Sequence, residues 1–252
     1  MIEHEPEWYK SFFGRDYLEV YGHLLTPESS EAEAEFVRHI LDLRPGQRVL
    51  DLCCGQGRHA VPLARMGLDV MGFDMSESYL DLAQSAALEA GVALKTVLGD
   101  MRDIPYEREF DAVINMFTAF GYFDDGLDDQ QVLNGAARAL KSDGRILLDL
   151  LNRDWVAANY VRSEQRTSPD GTVYVENREL DSVSGRNHVE FIIVAPDGSE
   201  RRTSHHIRLY VATEISRMLK RAGLTPGQVY GGYGGEPLSV ESRRMIIVAA
   251  KP

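Results

Sequence analysis

The strongest constraint on the fold is a regular alternation of short apolar runs with helical patterns between residue 46 and about residue 151. The apolar runs are RVLDL, DVMGFD, ALKTVLGD, FDAVINMF and RILLDLLN. Strands that alternate with helices in this way form a parallel sheet with helices on its faces. Near the C terminus, the helical pattern ATEISRMLKRAG and the apolar runs TPGQVYGGY and RRMIIVAAKP resume the alternation. We therefore predict an α/β fold with a mostly parallel seven-stranded sheet flanked by helices.

The segment between these two parts has the pattern of an antiparallel sheet. It contains three strand-like runs, TVYVENREL, NHVEFIIVA and RRTSHHIRLY, joined by the turn-forming stretches DSVSG and PDG. Proline and glycine favour the tight turns that connect antiparallel strands. Since a small sheet cannot bury both of its faces alone, it should pack over the parallel sheet or against a second subunit. We assign residues 155–210 to an antiparallel β insertion that acts as a lid.

The N-terminal region begins with an aromatic pattern and continues with a second helix. Four aromatic residues recur at intervals of four, which places neighbours on one helical face: Tyr9, Phe13, Tyr17 and Tyr21. The stretch TPESSEAEAEFVRHIL then has the pattern of another helix. We assign residues 1–43 to an N-terminal helical cap, and residues 44–154 and 211–252 to one α/β domain that binds the ligand.

Charge narrows the class of partner. The net charge is −12, and no run of lysine or arginine interrupts it. Nucleic acids and anionic membranes bind basic surfaces, so a small molecule is the expected partner, with no nucleic acid and no membrane. The start MIEHEPEWYK lacks the basic end and apolar core of a signal peptide, and the two cysteines are adjacent, where a disulfide would be strained. We therefore expect a cytoplasmic monomer or homodimer with free thiols.

A glycine-rich turn follows the first strand in the stretch VLDLCCGQGRHA. Such a turn between a strand and a helix lets a ligand approach the backbone and directs free N–H groups toward it. Gly55, Gly57 and Ala60 fit the dinucleotide pattern G-x-G-x-x-G/A, and Asp74 ends the next strand where a ribose-binding acid is expected. This pattern alone is compatible with an NAD(P)-dependent oxidoreductase.

Further polar residues at the strand ends favour a different cofactor. Asp51 lies on the first strand, where a carboxylate would favour an ammonium group but not a pyrophosphate. Asp100 ends the third strand, where it can accept a hydrogen bond from an adenine amine. Asn115 and Phe117 follow at the end of the fourth strand and give the site one polar and one apolar side. The pattern therefore favours a cofactor with an amino-acid part and an adenosine part.

Together, these residues resemble the class I S-adenosylmethionine-dependent methyltransferases. The stretch VLDLCCGQG is similar to the first motif of that family, commonly D-x-G-x-G-x-G, with Cys53 in place of its first glycine. Asp74 matches the family's ribose acid, GDM matches its adenine-side motif, and FDAVINMF and LKSDGRILLD match its fourth and fifth strands. The β insertion and the aromatic N terminus further resemble a small-molecule branch of the family.

The resemblance implies a Rossmann-like methyltransferase fold, S-adenosylmethionine as the cofactor, and methyl transfer to nitrogen or oxygen of a small polar metabolite. An NAD(P)-dependent oxidoreductase and a cofactor-binding regulator without turnover are the alternatives that the sequence leaves open. The expected cofactor contacts are Asp51, Cys53, Gly55, Gly57, Asp74, Met75, Asp100, Met101, Asn115 and Phe117.

The sequence says less about the residues that would bind the methyl acceptor, because loops rather than strand-end motifs form that part of the site. On an extended strand His205 and His206 point to opposite faces, which excludes joint binding of one metal ion, and no metal site is predicted. The face that carries His206 is either solvent-exposed or the roof of the cleft. No single catalytic residue is assigned, and the candidates for accepting a proton are Tyr122, Asn152 and His206. The expected substrate contacts are Tyr21, Tyr122, Asn152, His206, Arg208 and Tyr233.

Overall fold

The computed structural model describes residues 7–252, apart from the side chain of Arg15. The strands of this part are β1 (Arg48–Leu52), β2 (Asp69–Asp74), β3 (Lys95–Leu98), β4 (Phe110–Asn115), β5 (Leu140–Leu151), β6 (Ser163–Thr167), β7 (Val173–Asp181), β8 (Arg186–Val194), β9 (Glu200–Arg208), β10 (Thr225–Tyr230) and β11 (Arg244–Ala250). Seven of them form one sheet in the order β10-β11-β5-β4-β1-β2-β3, in which β11 runs antiparallel to both of its neighbours. The predicted mostly parallel seven-stranded sheet is confirmed.

Helices connect these strands and cover the sheet. They are α1 (Tyr9–Phe12), α2 (Arg15–Tyr21), α3 (Pro27–Ile40), α4 (Ala60–Arg65), α5 (Glu77–Glu89), α6 (Gly126–Ala139), α7 (Arg153–Ala158) and α8 (Ala212–Arg221). Their ends follow local signals, since the Ser76 hydroxyl accepts a hydrogen bond from the Tyr79 N–H at the start of α5. Gly67, with a φ of 86°, follows the end of α4. None of the described helices is both long and apolar enough to cross a membrane.

The insertion contains four antiparallel strands, in the order β6-β7-β8-β9, whereas the sequence pattern indicates three. The additional strand is β6, whose sequence SEQRT has no apolar residue to alternate with polar ones. It pairs with β7 at the edge of the sheet, from Ser163 opposite Asn177 to Thr167 opposite Val173. Backbone pairing and polar side-chain contacts hold this strand in place, and hydrophobic periodicity cannot detect it.

The N-terminal region also differs from its expected form. The aromatic residues lie on two short helices, α1 and α2, with a break at Phe13 and Gly14, and a single 3₁₀ turn, Gly22–Leu24, follows them. α3, within the expected cap of residues 1–43, packs its buried Ala34 and Val37 with residues of α4 and β1 on one face of the seven-stranded sheet. Residues 1–6 of the predicted cap lie outside the described part of the chain.

The inner face of the β6–β9 sheet packs against α1 and α2. Val189 and Phe191 of β8 belong to the same buried cluster as Trp8, Phe12 and Val20. This cluster is continuous with the core between the seven-stranded sheet and the helices α6 and α8. The insertion is therefore held over the carboxyl ends of the parallel strands by the N-terminal helices.

Candidate active site

One cavity of about 880 Å³ lies at the carboxyl ends of the parallel strands and extends beneath the β6–β9 sheet. Ligands of open α/β sheets bind at this edge, at the point where the strand order changes direction. In this sheet that point lies beside β1, which has β4 on one side and β2 on the other. The expected cofactor contacts that line the cavity are Cys53, Gly55, Asp74, Met75, Asp100, Met101 and Phe117. The expected cofactor contacts that do not line it are Asp51, Gly57 and Asn115.

Asp74 joins the glycine-rich turn to the end of β2. Its Oδ2 accepts a hydrogen bond from the Gly55 N–H at 2.9 Å, and its Oδ1 accepts one from the Ser76 N–H at 2.9 Å. Burial raises the pKa of this carboxyl in spite of the hydrogen bonds. Asp74 therefore stabilises the turn itself, and its carboxylate lies at the cavity wall, where it can accept further hydrogen bonds from ligand hydroxyls.

Asp51 is buried beside the turn, with 1% of its surface exposed. The Ala60 N–H donates to its carboxylate, but its Oδ2 has no hydrogen-bond partner. Burial, and then the charge of Asp74, raise the pKa of Asp51 to about 7. A cationic ligand group at this end of the cavity would stabilise the ionised form. Asp51 thus has the property expected of an ammonium-binding carboxylate, although its side chain does not line the cavity.

Three positions of the turn have left-handed backbone conformations: Cys53, Gly55 and Gly57. Gly57 has a φ of 81°, and a Cβ atom at this position would lie 3.0 Å from the Ala83 Cβ of α5. Gly57 therefore permits the turn to pack against α5. Cys53 has a φ of 63°, and its Sγ lies 3.4 Å from the Met101 Sδ. Burial raises the pKa of the Cys53 thiol well above its usual value, so the thiol stays protonated.

Asp100 is clamped by its neighbour Arg102. The Arg102 guanidinium donates to both oxygens of the carboxylate at 2.6–3.1 Å, and the Arg102 backbone N–H donates to Oδ1 at 2.9 Å. Although burial acts to raise it, the hydrogen bonds from Arg102 lower the pKa of Asp100. Arg102 is fixed in turn by Asp128, at 3.1 Å, and by the face of the Phe123 ring, at 4.5 Å. The cavity edge thus carries an oriented, ionised carboxylate.

The segment after β4 holds Phe117 in the cavity wall. Phe117 and Thr118 have φ values of 57° and 64°, and both are fixed by Asp149 of β5. The Phe117 N–H donates to the Asp149 carboxylate at 2.8 Å, and the Thr118 N–H donates to the Asp149 carbonyl oxygen at 2.8 Å. The Phe117 ring lies near the guanidinium groups of Arg58 and Arg244, with distances of 4.8 and 5.6 Å to its centroid. This arrangement gives the wall an aromatic ring with little freedom to move.

Arg58 is oriented by α3, an element that sequence reasoning assigned to the cap. Its guanidinium donates to the Glu33 carboxylate, and to the Ser30 hydroxyl at 3.0 Å. His59 Nε2 lies 2.7 Å from the same Glu33 carboxylate, and burial lowers the pKa of His59. Arg58 and His59 thus share one hydrogen-bonding partner, Glu33 of α3, which has no local signal in the sequence.

The N-terminal helices cover the cavity with aromatic rings. The Trp8 and Phe13 rings contact the Tyr122 ring, with centroid distances of 5.1 and 5.3 Å. The Tyr79 hydroxyl of α5 donates to the Gly14 carbonyl oxygen at 3.0 Å and so fixes the break between α1 and α2. The four aromatic residues of the N-terminal pattern, Tyr9, Phe13, Tyr17 and Tyr21, all line the cavity, and so does Tyr122.

The inner face of the β6–β9 sheet forms the opposite wall. Arg178 of β7 pairs with Glu164 at 2.6 Å and with Glu176 at 2.7 Å. His205 of β9 faces the cavity, and its Nε2 lies 2.7 Å from the Tyr21 hydroxyl. Burial lowers the pKa of His205 to about 3, so the imidazole is neutral. Strand alternation separates His205 from His206 but does not reveal which of the two faces the cavity, so sequence reasoning missed this residue.

The other histidine of the pair, His206, does not line the cavity, and neither does Arg208. Arg186 Nη1 lies 3.1 Å from His206 Nδ1, and the His206 ring stacks on His188 at 5.2 Å. Arg208 pairs with Glu214 at 3.1 Å. Both side chains belong to the face of β9 opposite His205, which corrects their assignment to the acceptor pocket.

Three more expected ligand contacts, Asn152, Tyr233 and Asn115, do not line the cavity and form hydrogen bonds within the protein instead. Asn152 caps α7 by accepting from the Asp154 N–H at 3.1 Å. Tyr233 donates its hydroxyl to Asp149 at 2.6 Å. Asn115 donates to the carbonyl oxygens of Leu52, at 3.1 Å, and Ala119, at 2.9 Å, and so joins the ends of β4 and β1. These side chains shape the backbone around the site.

The cavity has the chemistry of a site for a cofactor with a cationic end and a hydroxylated, adenine-bearing end. The orphaned oxygen of Asp51 fits an ammonium group, while the carboxylates of Asp74 and Asp100 fit hydroxyl and amine donors. An anionic pyrophosphate would meet repulsion from these three carboxylates. Within residues 7–252, no cluster of three or more His, Cys, Asp or Glu side chains is arranged to hold a metal ion.

Comparison with known proteins agrees with this chemistry. A family model described as a methyltransferase domain matches residues 49–144. The cypemycin N-terminal methyltransferase of a Streptomyces species is 31% identical over 206 residues, which cover 81% of this chain and 82% of that protein. The dTDP-3-amino-3,4,6-trideoxy-alpha-D-glucopyranose N,N-dimethyltransferase of Streptomyces venezuelae is 27% identical and covers 89% of this chain and 97% of its own. A ubiquinone biosynthesis O-methyltransferase of Salmonella paratyphi A, 32% identical, covers 50% of this chain and 53% of its own.

Solved structures give the same fold. An S-adenosylmethionine-dependent methyltransferase from Clostridium acetobutylicum has a TM-score of 0.80 at 16% identity, over 96% of this chain and 98% of its own. The methyltransferase interpretation of the glycine-rich turn is thus confirmed over the oxidoreductase and the non-catalytic regulator. The chain belongs to the class I S-adenosylmethionine-dependent methyltransferases, and it is an enzyme whose cofactor is S-adenosylmethionine.

Proposed function

We propose that this enzyme methylates the nitrogen of a small polar amine, held between the N-terminal helices and the inner face of the β6–β9 sheet. The observation that carries this proposal is the shape of the cavity. One continuous space of about 880 Å³ extends from the strand ends, which carry the cofactor-type residues, to the inner face of the insertion. That volume accommodates a cofactor together with a compact acceptor.

The cofactor half divides into three contacts. Asp51 would hold the ammonium group, Asp74 the ribose hydroxyls and Asp100 the adenine amine, with Met75, Met101 and Phe117 as apolar walls. The orphaned oxygen of Asp51 and the fixed orientation of Asp100 by Arg102 support these roles. When bound, S-adenosylmethionine supplies a sulfonium methyl group that leaves its sulfur as a neutral thioether.

Nitrogen is favoured over oxygen because the neutral histidine and tyrosine side chains of the acceptor walls are poor proton acceptors, and the carboxylates of Glu164 and Glu176 there are paired with Arg178. Burial lowers the pKa of His205 to about 3, raises the pKa of Tyr17 to about 12 and raises the pKa values of Tyr21 and Tyr122 well above their usual range. A hydroxyl acceptor needs a base to become nucleophilic, whereas an amine that enters in its neutral form already has a free electron pair. Once its nitrogen has formed the bond to the methyl carbon, the resulting ammonium can release its proton to water.

The chain's own contribution is positioning and the exclusion of water. The aromatic rings of α1, α2 and Tyr122 close the cavity, and well-oriented reactants account for roughly 7–11 kcal/mol of a barrier. Two of the relatives that match over most of this chain support an amine, since one is named as an N,N-dimethyltransferase and the other as an N-terminal methyltransferase. The ubiquinone biosynthesis O-methyltransferase matches about half of this chain.

We also propose the roles of the parts of the chain, the class of partner, the location and the oligomeric state of the enzyme. Residues 1–43 would form the N-terminal cap, residues 44–154 and 211–252 the cofactor-binding domain, and residues 155–210 the lid. With a net charge of −12, the enzyme is proposed to act on small molecules in the cytoplasm without nucleic acid, as a monomer or a homodimer that light scattering distinguishes.

A labelled-methyl assay tests the acceptor. The purified enzyme should transfer the label to members of a pool of small amines, and not to matched alcohols, tRNA or total protein. The rate should rise with pH toward the pKa of the amine and level off above it, because the neutral amine is the nucleophile. Transfer to alcohols or to RNA, with none to amines, would overturn the proposal and leave the cofactor assignment intact.

A further inference from the structure

We propose that the acceptor half of the cavity contains a subsite for a neutral hydroxyl group, built by Asn187, Trp8 and the Tyr21–His205 pair. The methylated amine would then belong to a hydroxylated molecule such as an amino sugar or amino alcohol. The inference rests on the proposed function, because it assumes that the acceptor binds under the β6–β9 sheet.

The first observation is an unpartnered amide oxygen. Asn187 of β8 is 6% exposed and lines the cavity, and its Oδ1 has no hydrogen-bond partner. Buried polar atoms in native proteins are nearly always hydrogen-bonded, by protein, water or ligand. In strand register, Asn187 lies opposite Ile207 and its neighbour on the same face, Val189, lies opposite His205. Asn187 is therefore diagonal to His205 on the cavity face of the sheet.

The second observation is an unpartnered donor in the lining of the same cavity. Trp8 is 2% exposed, and its indole Nε1 has no hydrogen-bond partner. The Trp8 ring centroid lies 5.6 Å from that of His205. An amide oxygen only accepts and an indole N–H only donates, whereas a hydroxyl group does both. A hydroxyl is the simplest ligand group that can satisfy both kinds of atom.

The third observation is the absence of charge on the pair between them. Tyr21 and His205 are hydrogen-bonded at 2.7 Å, and burial keeps both neutral, since the pKa of His205 is lowered to about 3 and the pKa of Tyr21 is raised. Phe12 and Phe191 pack against the rings of this pair, with centroid distances of 4.8 Å to His205 and 5.5 Å to Tyr21. The nearest charges that act on Tyr21 include Glu176 and Arg178, which pair with each other at 2.7 Å. The Tyr21–His205 pair therefore offers neutral hydrogen-bonding atoms, which suit a hydroxyl group better than a phosphate, a carboxylate or an ammonium group that would lose its hydration there.

The test compares pairs of amines that differ in one hydroxyl group beside the nitrogen-bearing carbon. The wild-type enzyme should prefer the hydroxylated amine by at least about tenfold in kcat/KM, because the deoxy amine leaves buried polar atoms unpaired. Asn187→Leu should lower kcat/KM for the hydroxylated amine by roughly 5- to 100-fold and leave the deoxy amine nearly unaffected. Tyr21→Phe, which keeps the ring, should act on the same member of each pair.

The matched control is Asn177→Leu, the same substitution on β7, where Asn177 faces the opposite side of the sheet and pairs with Ser163 and Glu190. It should not change the preference for the hydroxyl. Calorimetry with S-adenosylmethionine should give the same Kd for the wild type and both leucine variants. The wild-type preference is a test that does not depend on how well any variant folds.

Two failures are distinguishable. If amines are methylated with no preference for the hydroxyl, or if Asn187→Leu slows both members of each pair equally, the subsite is overturned and the proposed function stands. If S-adenosylmethionine binds but neither member of any pair is methylated, the proposed function fails and the subsite fails with it.

Discussion

Asp51→Asn should make the free enzyme more stable and at the same time weaken cofactor binding. Asp51 is 1% exposed, and one of its carboxylate oxygens has no hydrogen-bond partner. Asparagine keeps the shape and the oxygen that accepts from the Ala60 N–H, but it carries no charge to bury. The same charge that destabilises the free protein would attract the ammonium group of the cofactor.

The magnitude follows from the pKa of Asp51. Its ordinary value is 3.8 and its value in the folded protein is about 7, so the folded state binds the proton more tightly than the unfolded state. Stability therefore falls as pH rises from about 4 to 7, and the full penalty is present above pH 7. At about 1.36 kcal/mol per pKa unit the penalty is about 4 kcal/mol. At roughly 2–4 °C per kcal/mol, the variant should melt about 10 °C higher at pH 8.

Thermal unfolding at several pH values measures this effect. The difference in Tm between Asp51→Asn and the wild type should be large at pH 8, should shrink as the pH falls, and should approach zero near pH 3, where Asp51 is mostly protonated in both states. Calorimetry at pH 8 should show that the variant binds S-adenosylmethionine about 10- to 100-fold more weakly, since a charge-assisted hydrogen bond contributes about 1.5–3 kcal/mol.

Asp149→Asn is the matched control. Asp149 is equally buried, but its carboxylate accepts from Arg244 at 2.7 Å, Tyr233 at 2.6 Å and the Phe117 N–H at 2.8 Å. Neutralising one partner of a buried ion pair costs about 3–5 kcal/mol, so this variant should melt at a lower temperature. A less stable Asp51→Asn protein at pH 8, or one with unchanged cofactor affinity, would refute the reasoning.

Three other predictions concern the cofactor half. Cys53→Gly should retain cofactor binding and should lower the free energy of unfolding by no more than about 1 kcal/mol in urea. Glycine removes the strain of a residue at φ 63°, and it does so at an entropic cost of similar size. A larger loss of stability would mean that the Cys53 side chain packs more tightly than its contact with Met101 suggests. Asp100→Asn should weaken S-adenosylmethionine about 2- to 12-fold in calorimetry, since one hydrogen bond contributes about 0.5–1.5 kcal/mol, and full affinity would remove Asp100 from the adenine contact. Because the pKa of Asp51 is about 7 in the free enzyme, cofactor affinity should increase as the pH rises from 6 to 8. Near pH 7, binding should release a proton, so the binding enthalpy measured by calorimetry should depend on the buffer. A binding enthalpy that is the same in all buffers would contradict this prediction.

Local sequence signals predicted the strand ends that bear the cofactor-type acids. Asp74 and Asp100 come directly after apolar runs, and the carboxyl ends of parallel strands meet at one edge of a sheet. Their presence in one cavity therefore follows from the alternation of strands and helices alone. The same signals did not show that Arg102 clamps Asp100, nor that Gly57 packs against Ala83. Those contacts depend on how the turn and helices lie after folding.

The sequence by itself determined the architecture, the cofactor and the aromatic cover of the site, because periodicity and short motifs report on groups that are near one another along the chain. Only the tertiary structure decided the acceptor side. Strand alternation places His205 and His206 on opposite faces but is symmetric between them. The hydrogen bond between His205 and Tyr21, a residue 184 positions earlier in the chain, breaks that symmetry. In the same way, Asn152 and Tyr233 have the polarity of pocket residues, but contacts with distant backbone and with Asp149 turn them into structural supports.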